Sequence, residues 1–248
     1  MNLMKRLLQP AYLRMFQGHK SRFKCPICNY YGVFKDKRIS KSPDLIRVDS
    51  KCPGCGAAER HRMLKLVITE LFGSGEGQGK SVLHMAPETC MKAQISSCFD
   101  TYHTSDLLMK SVDFHEDIQN MSFDCGTYDC VVISRVLTIP PDLEASVQEL
   151  RRILKDDGLV IIAEIHSHEK TVEFGEMRNA RSRQIGVDIL DRYAEHFSRV
   201  EQYDASRYDS RYQLINRMRL DRLIKDDYPK QVREPNQGFR ELVAVCHA

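Results

Sequence analysis

Two Cys-x-x-Cys pairs near the front of this 248-residue chain constrain its folding more than any other feature. They read Cys25-Pro-Ile-Cys28 and Cys52-Pro-Gly-Cys55. Two such knuckles at this separation are the ligand pattern of a tetrahedral four-thiolate site, so Cys25, Cys28, Cys52 and Cys55 are expected to hold Zn2+. Each knuckle presents both sulfurs to one ion only if the backbone turns tightly. Pro26 and Pro53 start such a turn, and Gly54 and Gly56 permit it. The competing reading is a pair of disulfides or a redox dithiol. A redox pair sits between a strand and a helix, and only the second knuckle fits that, loosely. His61 is a spare ligand. With four cysteines at hand it is expected at the surface or between domains, beside Arg60 and Arg62.

The remaining cysteines, Cys90, Cys98, Cys125, Cys130 and Cys246, lie in apolar or mixed stretches and read as reduced core residues. That usage predicts a reducing, cytoplasmic setting. Lys5, Arg6, Pro10 and Arg14 interrupt the apolar residues at the front, so no secretory signal is expected. No stretch is long and apolar enough to predict a membrane span. The net charge of +3 is unevenly spread: residues 1–65 hold 15 Lys and Arg against 4 Asp and Glu, and the remainder 22 against 30. A basic front serves either an anionic partner such as RNA or an intramolecular or solvated face, and the latter is the expectation here.

The chain divides into an N-terminal helical segment (1–22), a zinc ribbon (23–60), a connecting helix and glycine-rich linker (61–79), and a larger domain (80–248) with an inserted segment at 207–238. Apolar spacing predicts a helix over 1–16, broken at Pro10, and another over Glu59 to Phe72. Ribbon strands are expected around Tyr31–Phe34 and Leu45–Val48. From Lys80 onward strands and helices alternate. Strands are expected at Ser81–Ala86, Thr101–Asp106, Asp113–Ile118, Tyr128–Ser134, Leu159–Ala163, Val200–Tyr203 and Glu241–Cys246. Helices are expected at Glu88–Cys98, Asp142–Leu154 (capped by Asp142), Gln184–Phe197 and, inside the inserted segment, Tyr212–Ile224. A turn is expected at Lys155–Gly158. Such alternation predicts an α/β fold, a doubly wound, mostly parallel, Rossmann-like sheet with a small N-terminal zinc-ribbon module.

In such a sheet ligands lie beyond the carboxyl ends of the strands, at the switch in strand order. That rule selects His84-Met-Ala-Pro-Glu88, Ser105-Asp106-Leu107 and Ser134-Arg135. The first turn contains no glycine, which argues against a dinucleotide whose pyrophosphate needs close backbone approach. Ala86 is still small, so a ligand without phosphates fits there. Asp106 follows the first strand at about the interval where a carboxylate meets ribose hydroxyls, against the plainer role of a turn residue. Asp117, at the end of the third expected strand, is placed to accept from an exocyclic adenine amine.

Several stretches carry a family likeness. They are Val82-Leu-His-Met-Ala-Pro-Glu88, Thr104-Ser-Asp106, Asp117-Ile118, Ser122 to Ser134 and Glu149 to Gly158. Together they resemble the class I S-adenosylmethionine (SAM)-dependent methyltransferases. More narrowly, Cys52 to Arg62 followed by an Ala-Pro-Glu turn is similar to bacterial methyltransferases with an N-terminal zinc ribbon. The resemblance implies SAM as cofactor beside Zn2+. Met85, Ala86 and Pro87 would line its methionine, Glu88 would start the next helix, and Asp106 with Leu107 would hold the ribose. Asp117 and Ile118 would meet the adenine, and Ser134 and Arg135 would flank the sulfonium. It departs from the family pattern at Val136-Leu-Thr138-Ile-Pro-Pro141, where an acidic-histidine pair is common, and at Asp156-Asp157-Gly158. Glu164, His166 and His168 are candidate bases. Arg178, Arg181 and Arg183 belong to a lid or acceptor loop over 167–183 and are placed to meet a carboxylate or phosphate. The implied activity is methylation of a small-molecule or saccharide acceptor. The alternatives are RNA methylation with the ribbon gripping nucleic acid, and a non-catalytic binding protein with a degenerate SAM fold.

Overall fold

The computed structural model describes residues 20–39, 42–166, 169–220 and 239–248; the helix expected over 1–16 and most of the inserted segment lie outside them. In chain order the strands are β1 (Phe23–Lys24), β2 (Tyr31–Gly32), β3 (Lys35–Ile39), β4 (Ser42–Lys51), β5 (Ser81–Met85), β6 (Thr101–Ser105), β7 (Tyr128–Ser134) and β8 (Leu154–His166). They continue with β9 (Val172–Glu173), β10 (Arg183–Gln184), β11 (Arg199–Asp204), β12 (Ile215–Leu220) and β13 (Phe239–His247). The helices are α1 (Glu59–Phe72), α2 (Lys92–Ser96), α3 (Leu143–Ile153) and α4 (Ile189–Ala194).

The chain forms two compact units, one of residues 1–66 and 204–241, the other of 67–203 and 242–248. In the first, β1 and β2 pair antiparallel, as do β3 and β4. β12 joins β4 antiparallel, with Arg217 opposite Val48, and the start of β13 joins β12. The helix expected over Tyr212–Ile224 is therefore wrong as far as it is described: a 3-10 turn at Ser210–Tyr212 leads into strand β12. The sequence there alternates, with buried Asn216 between exposed Ile215 and Arg217, and β4 supplies the ladder partners. Buried polar groups hold this unit. Glu59 accepts from Arg47 at 2.5 Å and from Ser50 Oγ at 3.1 Å. Arg47 also donates to Asn216, which donates to Glu241 at 2.6 Å. Burial pushes the Glu59 carboxyl above its ordinary range, against the pull of Arg47.

In the second unit the strand order is β13-β8-β7-β5-β6, with β11 also on β13. β5–β6, β5–β7 and β7–β8 are parallel, as the alternation predicted. On one face Leu83, Val131 and Val160 stand side by side with Met85, Ile133 and Ile162, and they join Val147, Leu150 and Ile153 of α3 in the core. Val82, Cys130, Val132 and Ile161 on the other face are equally buried, the mark of a sheet covered on both sides. Asp142 caps α3, accepting from the Ala145 amide at 2.9 Å.

Local polar chemistry overrides several other expectations. The strand over Asp113–Ile118 is reduced to isolated bridges, Ser105–Phe114 and Asp117–Asn120. Its aspartates bond nearby backbone instead: Asp113 accepts from the Thr104 amide at 2.8 Å, Asp117 from the Gln119 amide at 3.0 Å. The helix over Glu88–Cys98 shrinks to α2, because the Glu88 carbonyl first closes a turn onto the Met91 amide. The turn at Lys155–Gly158 is a bulge within β8: Tyr128 faces Leu154, and Cys130 already faces Leu159. The helix over Gln184–Phe197 is only α4, since Gln184 pairs with Val172 in β10. Among the cysteines expected in the core, Cys130 and Cys246 are buried, whereas Cys125 is exposed. Among the described residues no helix is long and apolar enough to cross a membrane.

Candidate functional site

The four knuckle cysteines come together. Their sulfurs all lie within 4.8 Å of one another, with Cys25–Cys55 and Cys28–Cys52 each at 3.6 Å. Tetrahedral zinc with bonds of about 2.3 Å places its sulfurs about 3.8 Å apart, so the set fits that ion. Both knuckles turn alike. The Asn29 amide donates to the Cys25 carbonyl and the Gly56 amide to the Cys52 carbonyl, each at 2.9 Å. Asn29 and Gly56 are left-handed, at φ 58° and 78°. A Cβ on Gly54 would meet Cys28 Sγ at 3.1 Å, so that residue lets the second knuckle close against the first. The crowded thiols share their protons unequally: hydrogen bonding with Cys25 holds Cys28 well below the ordinary thiol range and pushes Cys52 and Cys55 above it. A dication relieves that competition by taking all four as thiolates.

His61 is not in the sulfur cluster. It is buried, its Nδ1 accepting from the Ala58 amide at 3.1 Å, so the surface placement offered for it is corrected; its neighbour Arg62 is fully buried too. Arg62 donates to the carbonyls of Ser50 (2.9 Å), Ala57 (3.0 Å), Tyr212 (2.8 Å) and Gln213 (2.5 Å), and stacks 4.6 Å above the Phe34 ring. The sequence marks neither role, because the four carbonyls converge only in the fold. Part of the basic front is thus consumed internally: Arg47 and Arg62 as described, Lys20 on Asp36 at 2.8 Å, Lys51 on the Gly56 carbonyl at 3.0 Å.

A second feature lies at the carboxyl ends of β5, β6 and β7, where the strand order reverses. The chain leaves β5 through Ala86, left-handed at φ 48°, whose amide donates to the Ser105 carbonyl at 2.8 Å. It leaves β7 through Arg135, left-handed at φ 62°, whose amide donates to the Ala163 carbonyl at 3.0 Å. That conformation costs a non-glycine residue about 1–2 kcal/mol, here offset by bonds to the neighbouring strand. Between these ends opens a cavity of about 390 Å³. Met85, Ala86, Asp106, Leu107, Asp117, Ile118 and Arg135 line it; Pro87, Glu88 and Ser134 are not among its lining residues. The bend after the first strand of this unit is therefore open.

Asp106 plays two parts at once. Its Oδ1 accepts from the Leu108 and Met109 amides, both at 2.8 Å, and shapes the loop that carries it past the cavity. Two of about four acceptor sites on the carboxylate are so used. Asp117 is steadied by the Gln119 side chain at 3.1 Å. Glu88 meets His84 Nε2 at 3.3 Å, and His84 Nδ1 meets the Tyr102 hydroxyl at 2.9 Å, anchoring the glycine-free turn to β5 and β6. Burial pushes the Tyr102 hydroxyl up to about 12.

The sequence reading missed Glu116, Gln119, Ile139 and Met177 on the wall. Glu116 and Gln119 flank the two residues it did select; Ile139 falls in the stretch 136–141 that departs from the family pattern, and Met177 in the loop over 167–183, and these are the available signals. Glu164 is buried at the end of β8 and is not a lining residue. Only the backbone of His166 is described, and His168 lies outside the described residues. Arg183 is not open to an anionic ligand: it is buried against Glu173 at 2.9 Å and three carbonyls. Arg178 pairs with Glu176 at 3.0 Å, while Arg181 is exposed.

Residues 71–162 match a family described as a methyltransferase domain. The polyketide synthase-nonribosomal peptide synthetase ACE1 of Pyricularia oryzae is 30% identical over 67 residues, 27% of this chain and 2% of that protein. The hybrid synthetase cheA of Chaetomium globosum is 28% identical over 120 residues, 44% of this chain and 2% of that protein. The chain thus spans about 2% of the length of these curated relatives. Phosphoethanolamine N-methyltransferase 2 of Haemonchus contortus, solved with phosphomonomethylethanolamine and S-adenosylhomocysteine, superposes with a TM-score of 0.50 at 14% identity, over 74% of this chain and 52% of that one. A SAM-dependent methyltransferase of Archaeoglobus fulgidus gives 0.48 at 10% identity, over 76% and 94%. At such identities the likeness is one of fold. The likeness is thus to a methyltransferase domain over residues 71–162 and to the Rossmann-like fold.

Proposed function

We propose that the protein transfers the methyl group of SAM to a small-molecule or saccharide-type acceptor, at oxygen or nitrogen. One observation carries this reading. The cavity at the strand-order reversal lies, apart from Met177, within the segment that matches a methyltransferase domain. SAM brings a methyl group on a sulfonium, a leaving group that needs no further activation. The protein's share is then alignment, worth up to roughly 7–11 kcal/mol in the best cases. Met85 and Ala86 form the floor for the methionine part, and the small Ala86 side chain leaves the bend open. Asp106 accepts from ribose hydroxyls with the sites its loop leaves over, Asp117 and Ile118 meet the adenine, and Arg135 closes the end near the sulfonium. Glu88, off the wall, holds the bend through His84. Glu164 lies buried off the wall, so a base taken from His166 or His168 serves acceptors that must lose a proton. The four thiolates hold Zn2+ in a structural role, since all four ligand positions are filled by protein.

The internal engagement of Arg47, Arg62, Lys20 and Lys51 favours a small acceptor over nucleic acid. Equilibrium dialysis with methyl-labelled SAM tests the reading. One equivalent retained per chain, displaced by S-adenosylhomocysteine and not by NAD, supports it; no retention refutes the enzyme readings and leaves the non-catalytic binding protein.

A further inference from the structure

Loop 137–141, which follows β7, forms one wall of the cavity through Ile139, Pro140 and Pro141. It contains two prolines and has little regular pairing of its own; its polar partners come from Ser182 and from Arg183, the first residue of β10. The Ser182 amide donates to the Thr138 carbonyl at 2.9 Å and the Ser182 hydroxyl to the Ile139 carbonyl at 2.8 Å. Arg183 is about 1% exposed. Its Nη1 donates to the Leu137 and Pro140 carbonyls and its Nη2 to the Pro141 carbonyl, all at 2.7 Å. Its Nε lies 2.9 Å from both oxygens of Glu173, on the paired strand β9.

The hairpin that carries this arginine is pinned at its base. Asp188 Oδ1 accepts from the Thr171 amide and hydroxyl, both at 2.7 Å. A Cβ on Gly186 would lie 2.2 Å from the Lys170 carbonyl carbon, so that approach needs glycine. Beyond Arg183 the hairpin tip places Met177 on the cavity wall. A second hollow of about 680 Å³ shares Pro141 and Met177 with the cavity and is lined by Glu173, Ser182 and Arg183 as well.

We propose that Arg183 is a positioning residue: paired with Glu173, it fixes loop 137–141 as a wall of the cavity without lining that cavity itself. A guanidinium suits this task. Its planar fork reaches three carbonyls and a carboxylate at once, whereas a lysine ammonium is a single point on a flexible stem. The consequence for ligand binding rests on the SAM reading above; the wall-fixing role does not.

The test is hydrogen exchange on the full-length protein without ligand, joined to calorimetry with S-adenosylhomocysteine. Arg183→Met is expected to speed exchange in the peptide covering 134–143 by about tenfold or more, as for the loss of one charge-assisted bond. Strands β5 and β6 should stay as protected as before, and the ligand Kd should rise about tenfold. Arg183→Lys should not restore either value. Glu173→Gln, at a half-exposed position that endangers folding little, should give an intermediate loosening of the same peptide. Unchanged exchange at 134–143 in both Arg183→Met and Glu173→Gln overturns the proposal. So does full rescue by lysine, or a uniform loss of protection across the unit in all three variants. If wild type binds no S-adenosylhomocysteine while the peptide loosens as described, the clamp stands and the SAM reading falls.

Discussion

Replacing Arg62 by methionine isolates the polar contribution of the buried arginine in the ribbon unit. Methionine keeps an unbranched apolar stem against Phe34 and removes every donor. The Ala57 carbonyl retains the Cys52 amide at 2.9 Å. The carbonyls of Ser50, Tyr212 and Gln213 lose the donor seen here. At about 1 kcal/mol each, the low end for a buried polar group left without its partner, the loss is about 3 kcal/mol. Burial holds the arginine pKa below its ordinary value, so removing the charge returns part of its desolvation cost. A net local loss of about 2–4 kcal/mol is expected, roughly two orders of magnitude in the opening equilibrium. Hydrogen exchange of the zinc-loaded protein reads it directly. Amides in Gln213–Asn216 should lose that protection, while those of β5 and β7 keep theirs. A change below about threefold at Gln213–Asn216, or an equal loss in β5 and β7, would show that the arginine is not what holds these segments.

Zinc should be found at one ion per chain, and Cys28→Ser should lose it, as read by metal analysis. Because zinc needs all four sulfurs as thiolates, protons compete with it, and its affinity should fall as pH drops; metal retained unchanged down to about pH 4 would contradict thiolate ligation. Ala86→Val places a β-branched residue at φ 48° and should destabilise the unit by about 1–3 kcal/mol in thermal melts as well as narrowing the cavity. A variant of wild-type stability and wild-type affinity for S-adenosylhomocysteine would show that the bend is neither strained nor part of the site.

The sequence was most legible where local chemistry decides structure. Helix α1 runs over the residues predicted, Glu59 to Phe72, because Met63, Leu64, Val67 and Ile68 already describe one buried face. The knuckles were legible for the same reason: within each, the two cysteines and the turn residues between them are local, and the four sulfurs come together. Strands β5 and β7 declare themselves as short apolar runs. Illegible were the elements whose partners lie far along the chain. β12 is a strand because β4, some 170 residues earlier, gives it a ladder (Arg217 opposite Val48). Arg62 and Arg183 look like surface cations in sequence, and each is buried by backbone carbonyls that only the tertiary fold assembles. The glycine-free turn misleads in a different way. Ala86 adopts the left-handed conformation usually left to glycine, held by its bond to Ser105. Of the residues selected at the strand ends, Met85, Ala86, Asp106, Leu107, Asp117 and Arg135 line the cavity, although the strand expected to end at Asp117 is only bridged. Ile139 and Met177 lie in stretches the sequence marked, 136–141 and 167–183, without being singled out.

The central claim is that the space between Ala86 and Asp106 receives an adenosyl group with its ribose on the carboxylate. Calorimetric titration of S-adenosylhomocysteine into wild type and Asp106→Asn tests it most directly, since asparagine keeps an oxygen for the Leu108 and Met109 amides and so preserves the loop. One site per chain is predicted in wild type, weakened by about 1–3 kcal/mol in the variant. Absence of binding by wild type, or equal affinity in the two proteins, would contradict the account.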